Sequence, residues 1–554
     1  MNFLLRFHFF ILASLLCLAW FVPRFGDRWF RRIEEFGTRF ARKKWAVVVF
    51  IALATVLPRA ALLWVMPIPA PNIHDEFSYL LAGDTFAHGR LANPPHPMWL
   101  FLETFHVLQH PTYASIYPPA QGGVLAFGQL LGNPWVGVLL SMAAMGAAVT
   151  WAMQAWLPPR WALLGGVLVV LRIGLISDWM NSYWGGAVAA TGGALVIGAL
   201  PRIRQRLRLG DAVLMALGAA LLANSRPLEG LIFCAPVAAA VIAWLFSKKS
   251  PAAAVVLPRL ILPIALVLMA TLGFIAHYNW RVTGSALLFP ETLDEKVYTN
   301  FPLFIWQAPE KPLKYNNPQF EEFYNVVARN VYPRSLWTSL IRKSHSTWLF
   351  FLGSALSIPF LAFPRVLCDK RIRFLLIQCL WSGLGLLVVV WFFPHYVAPL
   401  TATIFMLIVQ MLRHLRLWTI RSRPVGVYLT RLVILLLVAR VPFSVAYRSE
   451  HREFGWNLER AGIVRELGTT TGKHLIIVSY SSGHIVDHEW VYNAADIDRA
   501  QIVWARQIPG RELKPLLEYF RERRVWILEA DAHPIRLLPL SDPLLAEGES
   551  VASK

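Results

Sequence analysis

Long apolar stretches separated by short polar turns run through most of this chain. Most of these stretches hold about 17–22 residues, enough for a helix to cross a hydrocarbon core of about 30 Å. We therefore predict a polytopic α-helical membrane protein with about 11–13 transmembrane helices. The predicted spans are roughly 3–22, 45–66, 122–150, 161–177, 185–200, 211–224, 230–246, 260–276, 347–364, 374–393, 397–412 and 425–445.

The composition agrees with this class, since 56% of the residues are hydrophobic and the mean hydropathy is +0.48. The first apolar run stands where a secretory signal peptide would stand. However, Arg6 is its only early positive charge, and no A-x-A-like cleavage site follows it. We therefore expect residues 1–22 to be retained as a helix.

Positive side chains are concentrated in turns that the predicted spans place on one side of the membrane. Residues 24–44 carry eight Lys or Arg, residues 202–208, 365–373 and 413–423 carry four each, and Lys248 and Lys249 join them. Because positively charged loops stay in the cytoplasm, this face is predicted to be the cytoplasmic side of a plasma (inner) membrane. The formal net charge of +20 is then largely a rim facing anionic lipid, and it predicts no nucleic-acid partner.

The opposite face receives most of the remaining polar side chains. It holds a first outer loop, residues 67–121, a long outer loop, residues 277–346, and the chain after about residue 446. Carboxylates, arginines, histidines and aromatic side chains gathered on one face predict that the protein acts on something there.

Beyond about residue 446 the apolar runs shorten and charges of both signs mix. Helical patterns at 456–467 and 510–524 alternate with strand patterns at 474–479, 501–505 and 525–528. This alternation predicts a small soluble α/β domain with a parallel sheet over residues 446–554, on the extracytoplasmic side.

One loop of that domain places His484 and His488 four residues apart, beside Asp487 and Glu489. On a helix this spacing would put both imidazoles on one face, where they could bind a metal. The preceding Ser-Ser-Gly instead favours a loop at the end of a strand, which caps the sheet or touches substrate.

The first outer loop carries the clearest chemical signal, because it opens with adjacent carboxylates at Asp75 and Glu76. Apolar residues spaced by three and four predict a helix from about residue 75. An acidic pair in its first turn complements the helix dipole without any catalytic role. Catalysis on a substrate at the outer face is the competing interpretation. Asp84 is predicted to lie about two turns later, nearly on the same helix face as Asp75 or Glu76, so it too is either a structural acidic residue of this helix or part of a catalytic site.

The stretch His74-Asp75-Glu76-Phe77-Ser78-Tyr79-Leu80-Leu81-Ala82-Gly83-Asp84, followed by many hydrophobic spans, resembles the GT-C superfamily of membrane glycosyltransferases. The resemblance is closest to the protein O-mannosyltransferase and aminoarabinose-transferase type. It implies a GT-C-like fold, a sugar donor linked to polyprenyl phosphate and inversion at the anomeric carbon. The acceptor it implies is a glycan, lipid or protein at the outer face. The extra N-terminal span and the α/β tail depart from the family's usual plan.

The same resemblance implies roles for the two carboxylates. Asp75 would be the base that acts on the acceptor hydroxyl, and Glu76 would be its partner. Glu76 would either orient Asp75 or help to bind a divalent metal ion, magnesium or manganese.

Glycosyl transfer to a hydroxyl also needs a cation that stabilises the departing phosphate. Arg226, in Asn-Ser-Arg-Pro-Leu-Glu-Gly, is a candidate because its planar guanidinium can bind two phosphate oxygens. A pair with Glu229, three residues later, explains it equally well. Arg281 and the step His395-Tyr396 follow outer helix ends and are weaker candidates for the phosphate site.

Two tyrosines of the outer face, Tyr117 and Tyr183, could stack on sugar rings. An interfacial aromatic belt is the commoner explanation for aromatic residues at this depth.

Two other classes of function remain open from the sequence. A transporter of lipid-linked or polysaccharide substrate would line a pathway with ionisable residues in mid-span, and Arg172 and Arg440 are the nearest examples. A non-catalytic envelope assembly protein would use its tail to bind an extracytoplasmic partner. No P-loop and no GxGxxG motif occurs, so nothing predicts transport driven by a nucleotide.

Overall fold

The computed structural model describes residues 26–299, 302–307, 313–327, 335–450 and 455–540, together with five isolated residues before position 26. The predicted span 3–22 therefore lies almost wholly outside the described residues. The main helices are α1 Asp27–Phe40, α2 Lys44–Ala61, α3 His74–Ala87, α4 Pro119–Leu130, α5 Pro134–Trp156, α6 Pro159–Val169, α7 Ala187–Arg206, α8 Leu209–Ala223, α9 Pro227–Leu245, α10 Leu262–Thr283, α11 Pro290–Tyr298, α12 Leu336–Thr347, α13 Arg373–Leu387, α14 Thr401–Leu415, α15 Val425–Glu450, α16 Trp456–Gly468 and α17 Lys514–Tyr519.

Shorter turns extend several of these helices or lie between them. Single α-helical turns lie at Trp99–Leu102, Ala253–Val256, Pro318–Glu322, Gly353–Ser357 and Phe363–Leu367. π-helical turns lie at Val170–Gly174, Leu257–Ile261, Phe323–Val327 and Trp348–Leu352, and 3₁₀ turns at Ile358–Ala362 and Pro394–Leu400.

Most of the predicted spans are helices in the structure. Within the described ranges, seven helical segments are long and apolar enough to cross a membrane: Lys44–Ala61, Pro134–Trp156, Pro227–Leu245, Ala253–Thr283, Leu336–Leu367, Pro394–Leu415 and Val425–Ser449. Two shorter apolar helices, α8 and α13, join them, and α6 and α7 occupy the predicted spans 161–177 and 185–200. The prediction of a polytopic helical membrane protein is confirmed.

The predicted span 122–150 is wrong as a single helix, because the structure divides it into α4 and α5. Gly132 takes a positive φ of 107°, and the side chain of Asn133 accepts a hydrogen bond from the Trp135 amide at 2.9 Å. Asn133 thus caps α5, which begins at Pro134. The first half, α4, packs instead against α3: a Cβ on Gly122 would come within 2.7 Å of the Ala82 Cβ.

Three of the basic segments meet at one end of the bundle. Glu34 of α1 accepts a hydrogen bond from Arg416 at 2.6 Å, and Asp27 is paired with Arg431. Asp369, in the turn before α13, lies 3.2 Å from His414. The basic turns 24–44, 365–373 and 413–423 therefore share one end, as their common charge predicts.

The C-terminal residues form a four-stranded sheet in the order β4-β3-β5-β6, with β3 His474–Ser479, β4 Ile502–Arg506, β5 Arg524–Glu529 and β6 Arg536–Pro539. β3 is parallel to β4 and β5, which confirms the small α/β unit. Its apolar sequence follows from burial on both faces. The antiparallel strand β6 was not predicted, and the predicted helix 510–524 is reduced to α17.

The sheet packs directly on the first outer loop. Phe77 of α3 stacks on Tyr492 with ring centroids 4.1 Å apart. Nε2 of His74 lies 3.1 Å from the Val486 carbonyl oxygen, and burial lowers the pKa of His74 to about 3, so the neutral imidazole donates this bond. The first outer loop and the C-terminal unit therefore lie on the same side of the helical bundle.

A buried ion pair lies within the C-terminal unit, beside this contact. Arg506 of β4 and Glu489 are almost fully buried and lie 2.5 Å apart. Glu489 also accepts from the Tyr480 hydroxyl at 2.6 Å and from the Val491 amide at 2.8 Å. Removing one partner would leave an uncompensated buried charge. Arg506 also donates to the Glu103 carbonyl of the first outer loop at 3.4 Å and to the Gln319 side chain of the long outer loop at 3.2 Å, so it joins the sheet to both loops.

Candidate active site

The predicted loop helix begins at His74, one residue before the expected position, and places Asp75 and Glu76 in its first turn. Successive residues on a helix point in different directions, so the two carboxylates have different surroundings. One is buried in the protein and the other faces an accessible space.

Glu76 is the buried member, with 4% of its surface exposed. One oxygen accepts from the Asn72 amide at 3.1 Å and the other from the Tyr183 amide at 2.9 Å. Burial raises its pKa to about 7. Because its two oxygens accept hydrogen bonds from these two backbone amides, Glu76 connects the turn at residues 181–184 to the start of α3.

Asp75 is partly exposed and accepts a hydrogen bond from the Tyr117 hydroxyl through Oδ1. Tyr117 is fixed in turn by stacking on Tyr79, with ring centroids 4.3 Å apart. Burial and the charge of Asp75 hold the pKa of Tyr117 well above its usual value, so the phenol stays a donor. No described residue bonds to the second oxygen of Asp75, which is therefore free to accept a proton.

Arg226 lies in the turn between α8 and α9, where Pro227 begins the next helix. Its guanidinium carbon stands 4.6 Å from the centre of the Tyr396 ring. Burial by itself lowers the pKa of Arg226, but nearby Tyr79, Tyr396, Glu229 and Glu291 outweigh it and the net direction is upward. Arg226 therefore stays charged.

Arg226 and Glu229 do not form a close ion pair, which was one of the two interpretations that the sequence left open. Among the described residues, no carboxylate oxygen lies within 4.0 Å of the Arg226 nitrogens, and its side chain is partly exposed. Glu229 is 8% exposed and acts on Arg226 through its charge alone. A guanidinium without a bonded carboxylate is available to an incoming anion.

Glu291, in the first turn of α11, belongs to the same group but was missed by the sequence reasoning. Partial desolvation and the like charges of Glu295, Glu229 and Asp75 raise its pKa to about 7, although Arg226 lowers it. A crevice between α4, α8, α10 and α11 is lined by Glu291, Pro118, Asn224 and Tyr278. The sequence Pro290-Glu291 could have indicated it, because a proline followed by an acidic residue marks the first turn of a helix, and α3 also has acidic residues in its first turn.

His106 is a second residue that the sequence did not reveal. It has a positive φ of 60°, and its carbonyl accepts from the Ser78 hydroxyl at 2.6 Å, which fixes this strained backbone against α3. Its ring centre lies 6.0 Å from that of Tyr117. Burial lowers the pKa of His106, with Asp75 acting in the opposite direction, so the imidazole beside Asp75 is neutral.

The structure places Asp84 away from this group. Its Oδ1 accepts from the Gln129 side chain at 2.8 Å, and its Oδ2 accepts from the Ala495 amide at 2.7 Å. Residues nine positions apart are separated by two and a half turns, so Asp84 faces away from Asp75. Asp84 binds the first outer loop to the C-terminal unit.

The other candidates divide between the group and its surroundings. Tyr396 lies beneath Arg226, and the buried His395 packs against Trp184 with ring centres 4.5 Å apart. Tyr183 donates to the Pro69 carbonyl at 2.9 Å and supports the loop rather than facing the crevice. Arg281 is exposed beside Trp280, at 5.9 Å.

The described side chains provide no group of three His, Cys, Asp or Glu that could hold a metal ion. Glu76 uses both of its oxygens on backbone amides. In the C-terminal loop, His484 bonds to Asp531 at 2.7 Å and Glu489 pairs with Arg506. These side chains are therefore used within the protein, and the loop is the connection that follows β3. This donor set does not fit magnesium or manganese.

Comparisons with known proteins give similarity in fold only. No protein-family model matches the chain, and no curated protein sequence matches it. Among solved structures, it is similar to ArnT from Cupriavidus metallidurans at 13% identity, covering 85% of this chain and 91% of that one, with a TM-score of 0.46.

The chain is also similar to the oligosaccharyltransferase of Archaeoglobus fulgidus in its apo form, at 12% identity and a TM-score of 0.37. That match covers 79% of this chain but 62% of the oligosaccharyltransferase, so the chain spans about three fifths of its length. The same enzyme in complex with an inhibitory peptide and a dolichol-phosphate matches at 11% identity, 82% and 64% coverage and a TM-score of 0.38. These structures are of the membrane glycosyltransferase kind that the first outer loop resembles.

Proposed function

We propose that this protein is an inverting glycosyltransferase that moves a sugar from a polyprenyl-phosphate donor to an extracytoplasmic glycan, lipid or protein. One observation carries the proposal. The loop that holds Asp75 through Tyr117 is bonded to the turn that carries Arg226, because the Ala120 amide donates to the Asn224 carbonyl at 2.9 Å. The charges of Asp75 and Arg226 also both act on Tyr79, Tyr396 and Glu291. A carboxylate suited to accept a proton and a cation suited to bind phosphate therefore belong to one group of side chains, which supports the proposal.

In the proposed step the acceptor oxygen attacks the anomeric carbon from the side opposite the phosphate. The hydroxyl proton passes to Oδ2 of Asp75, whose Oδ1 is held by Tyr117. The bond between the anomeric carbon and the phosphate oxygen breaks, and its electron pair stays on that oxygen. Arg226 then stabilises the added negative charge of the released polyprenyl phosphate.

Turnover of a lipid-linked sugar tests the proposal. The purified protein, reconstituted in liposomes with an envelope extract as acceptor source, should release polyprenyl phosphate from at least one donor. The donors would carry mannose, glucose or 4-amino-4-deoxyarabinose. Protein that is folded by thermal melting yet consumes none of the three would contradict the proposal.

The proposed orientation puts the first outer loop and the C-terminal unit outside a plasma (inner) membrane. We expect a cysteine at Thr469, an exposed residue after α16, to react with an impermeant thiol reagent in intact cells. A cysteine at Lys249, an exposed residue after α9, should react only after lysis. Cys17 and Cys368 are exposed and must first be replaced by serine. The reverse pattern would place the proposed site in the cytoplasm.

The transporter alternative is less well supported by the ionisable residues inside the bundle. Arg172 donates to the carbonyls of Leu349 and Phe350, at 3.0 Å for the latter, and Arg440 donates to the Arg172 carbonyl at 3.3 Å. These side chains are bonded to helix ends rather than directed along an open path. The assembly-protein alternative predicts that Asp75 can be replaced without loss of function.

A further inference from the structure

A second cleft lies between the first outer loop and the long outer loop, apart from the Asp75 group. Its volume is about 180 Å³, and Trp99, Glu103 and Gln109 line it on one side. Tyr298 and Tyr315 line the other. A single water needs only about 10–15 Å³ of such space, so the cleft has room for a ligand much larger than one water.

The aromatic walls are held in place before any ligand arrives. The Tyr298 hydroxyl donates to Glu103 at 2.8 Å, and the Tyr315 hydroxyl donates to the Tyr298 carbonyl at 2.6 Å. Trp99 meets the edge of His110 at 4.8 Å with the rings nearly perpendicular. A ligand entering such a cleft would order few side chains, which keeps the entropic cost of binding low.

One wall also has an unused hydrogen-bond acceptor. Gln109 is 1% exposed, and within the described chain its Oε1 has no hydrogen-bond partner. Its Nε2 makes only a long contact of 3.5 Å with the Leu102 carbonyl. A buried amide oxygen without a donor is uncommon, and a ligand hydroxyl or a water would satisfy it.

The cleft is separated from the Asp75 group by an aromatic layer. Phe105 stacks on His74 at 4.4 Å on one side and packs against Phe320 at 4.5 Å on the other. Tyr298 belongs to the same buried cluster as Phe105 and Phe320. Phe105 therefore lies between His74, the neighbour of Asp75 in the chain, and the aromatic cluster that contains Tyr298 of the cleft.

We propose that this second cleft binds a pyranose ring of a glycan substrate. Flat aromatic faces suit the apolar C–H faces of a sugar, and the amide of Gln109 suits its hydroxyl groups. The inference rests on the proposed function only in naming the ligand as part of a glycan substrate. Binding of the sugar ring itself requires neither sugar transfer nor Asp75.

Ligand-observed NMR saturation transfer on the full-length protein tests the proposal. The probes are the methyl glycosides of glucose, mannose and galactose, and N-acetylglucosamine. We expect at least one probe to bind, and we expect Trp99→Ala and Gln109→Leu each to weaken that binding by about tenfold. Trp64→Ala, which changes a tryptophan that is 84% exposed, is the matched control and should bind as the unaltered protein does.

The Asp75→Asn variant separates this inference from the proposed function. Binding of the probe should persist in it while transfer is lost. Binding without turnover in the unaltered protein would overturn the glycosyltransferase proposal alone. If none of the probes binds, or if both cleft variants bind as the unaltered protein does, the second cleft is not a sugar site. Thermal melting of each variant shows that it is folded.

Discussion

Replacing Asp75 by asparagine is expected to slow sugar transfer by roughly 10²–10⁴-fold, the usual contribution of a positioned general base. The amide keeps the shape of the carboxylate and can still accept from Tyr117, but it cannot take the proton of the acceptor hydroxyl. Donor affinity should change little, because in this account Arg226 rather than Asp75 binds the phosphate. Initial rates of polyprenyl phosphate release and a direct donor-binding measurement would report both quantities.

Asp84→Asn provides a matched control for this prediction. It makes the same chemical change on the same helix, but Asp84 bonds to Gln129 and to the C-terminal unit rather than to the Asp75 group. We expect it to keep most of the transfer rate, with any loss appearing in thermal stability. An Asp75→Asn protein that transfers sugar at the rate of the unaltered protein would remove Asp75 from the mechanism.

Loss of the guanidinium at position 226 is expected to lower kcat/KM for the donor by roughly 10- to 100-fold. This range corresponds to the loss of one or two charge-assisted hydrogen bonds to phosphate. Arg226→Lys should recover part of the loss, because an ammonium keeps the charge but lacks the planar fork. Donor-concentration series for Arg226→Ala, Arg226→Lys and the unaltered protein would separate KM from kcat.

The exposed Arg281 offers the control for Arg226. It lies in the last turn of α10 and contacts Trp280, whereas Arg226 contacts Tyr396. Arg281→Ala should therefore behave as the unaltered protein does. If Arg281→Ala lost donor use and Arg226→Ala kept it, the phosphate would have to bind at the α10 end instead.

Much of the membrane region could be predicted because whether a segment forms a transmembrane helix depends mainly on its own residues. A span needs a continuous apolar run, and a loop helix needs apolar residues on one face, so α2, α3, α9 and α15 were visible in the sequence. The division of 122–150 was missed because Gly132 and Asn133 interrupt a run that is otherwise apolar on both sides. Two residues change its mean hydropathy little, yet they are enough to end one helix and cap another.

The candidate site was only partly visible for a different reason. Asp75 and Arg226 could be proposed from the sequence because each residue type suits one half of a glycosyl transfer. Glu291 and His106 depend on how distant loops fold together, and the positive φ of His106 cannot be read from its residue type. The opposite directions of Asp75 and Asp84 follow from helix geometry, whereas the buried position of Glu76 depends on Tyr183, more than a hundred residues away.

The most direct test is a structure of the Asp75→Asn protein in a lipid nanodisc with a polyprenyl-phosphate sugar that it binds but cannot transfer. We expect a phosphate oxygen to lie within hydrogen-bond distance of the Arg226 guanidinium. We also expect the anomeric carbon to lie between that phosphate and the side chain at position 75, with the polyprenyl chain leaving toward the bilayer. A donor phosphate bound elsewhere, with residue 75 and Arg226 both outside contact distance of the sugar and phosphate, would contradict the proposed mechanism.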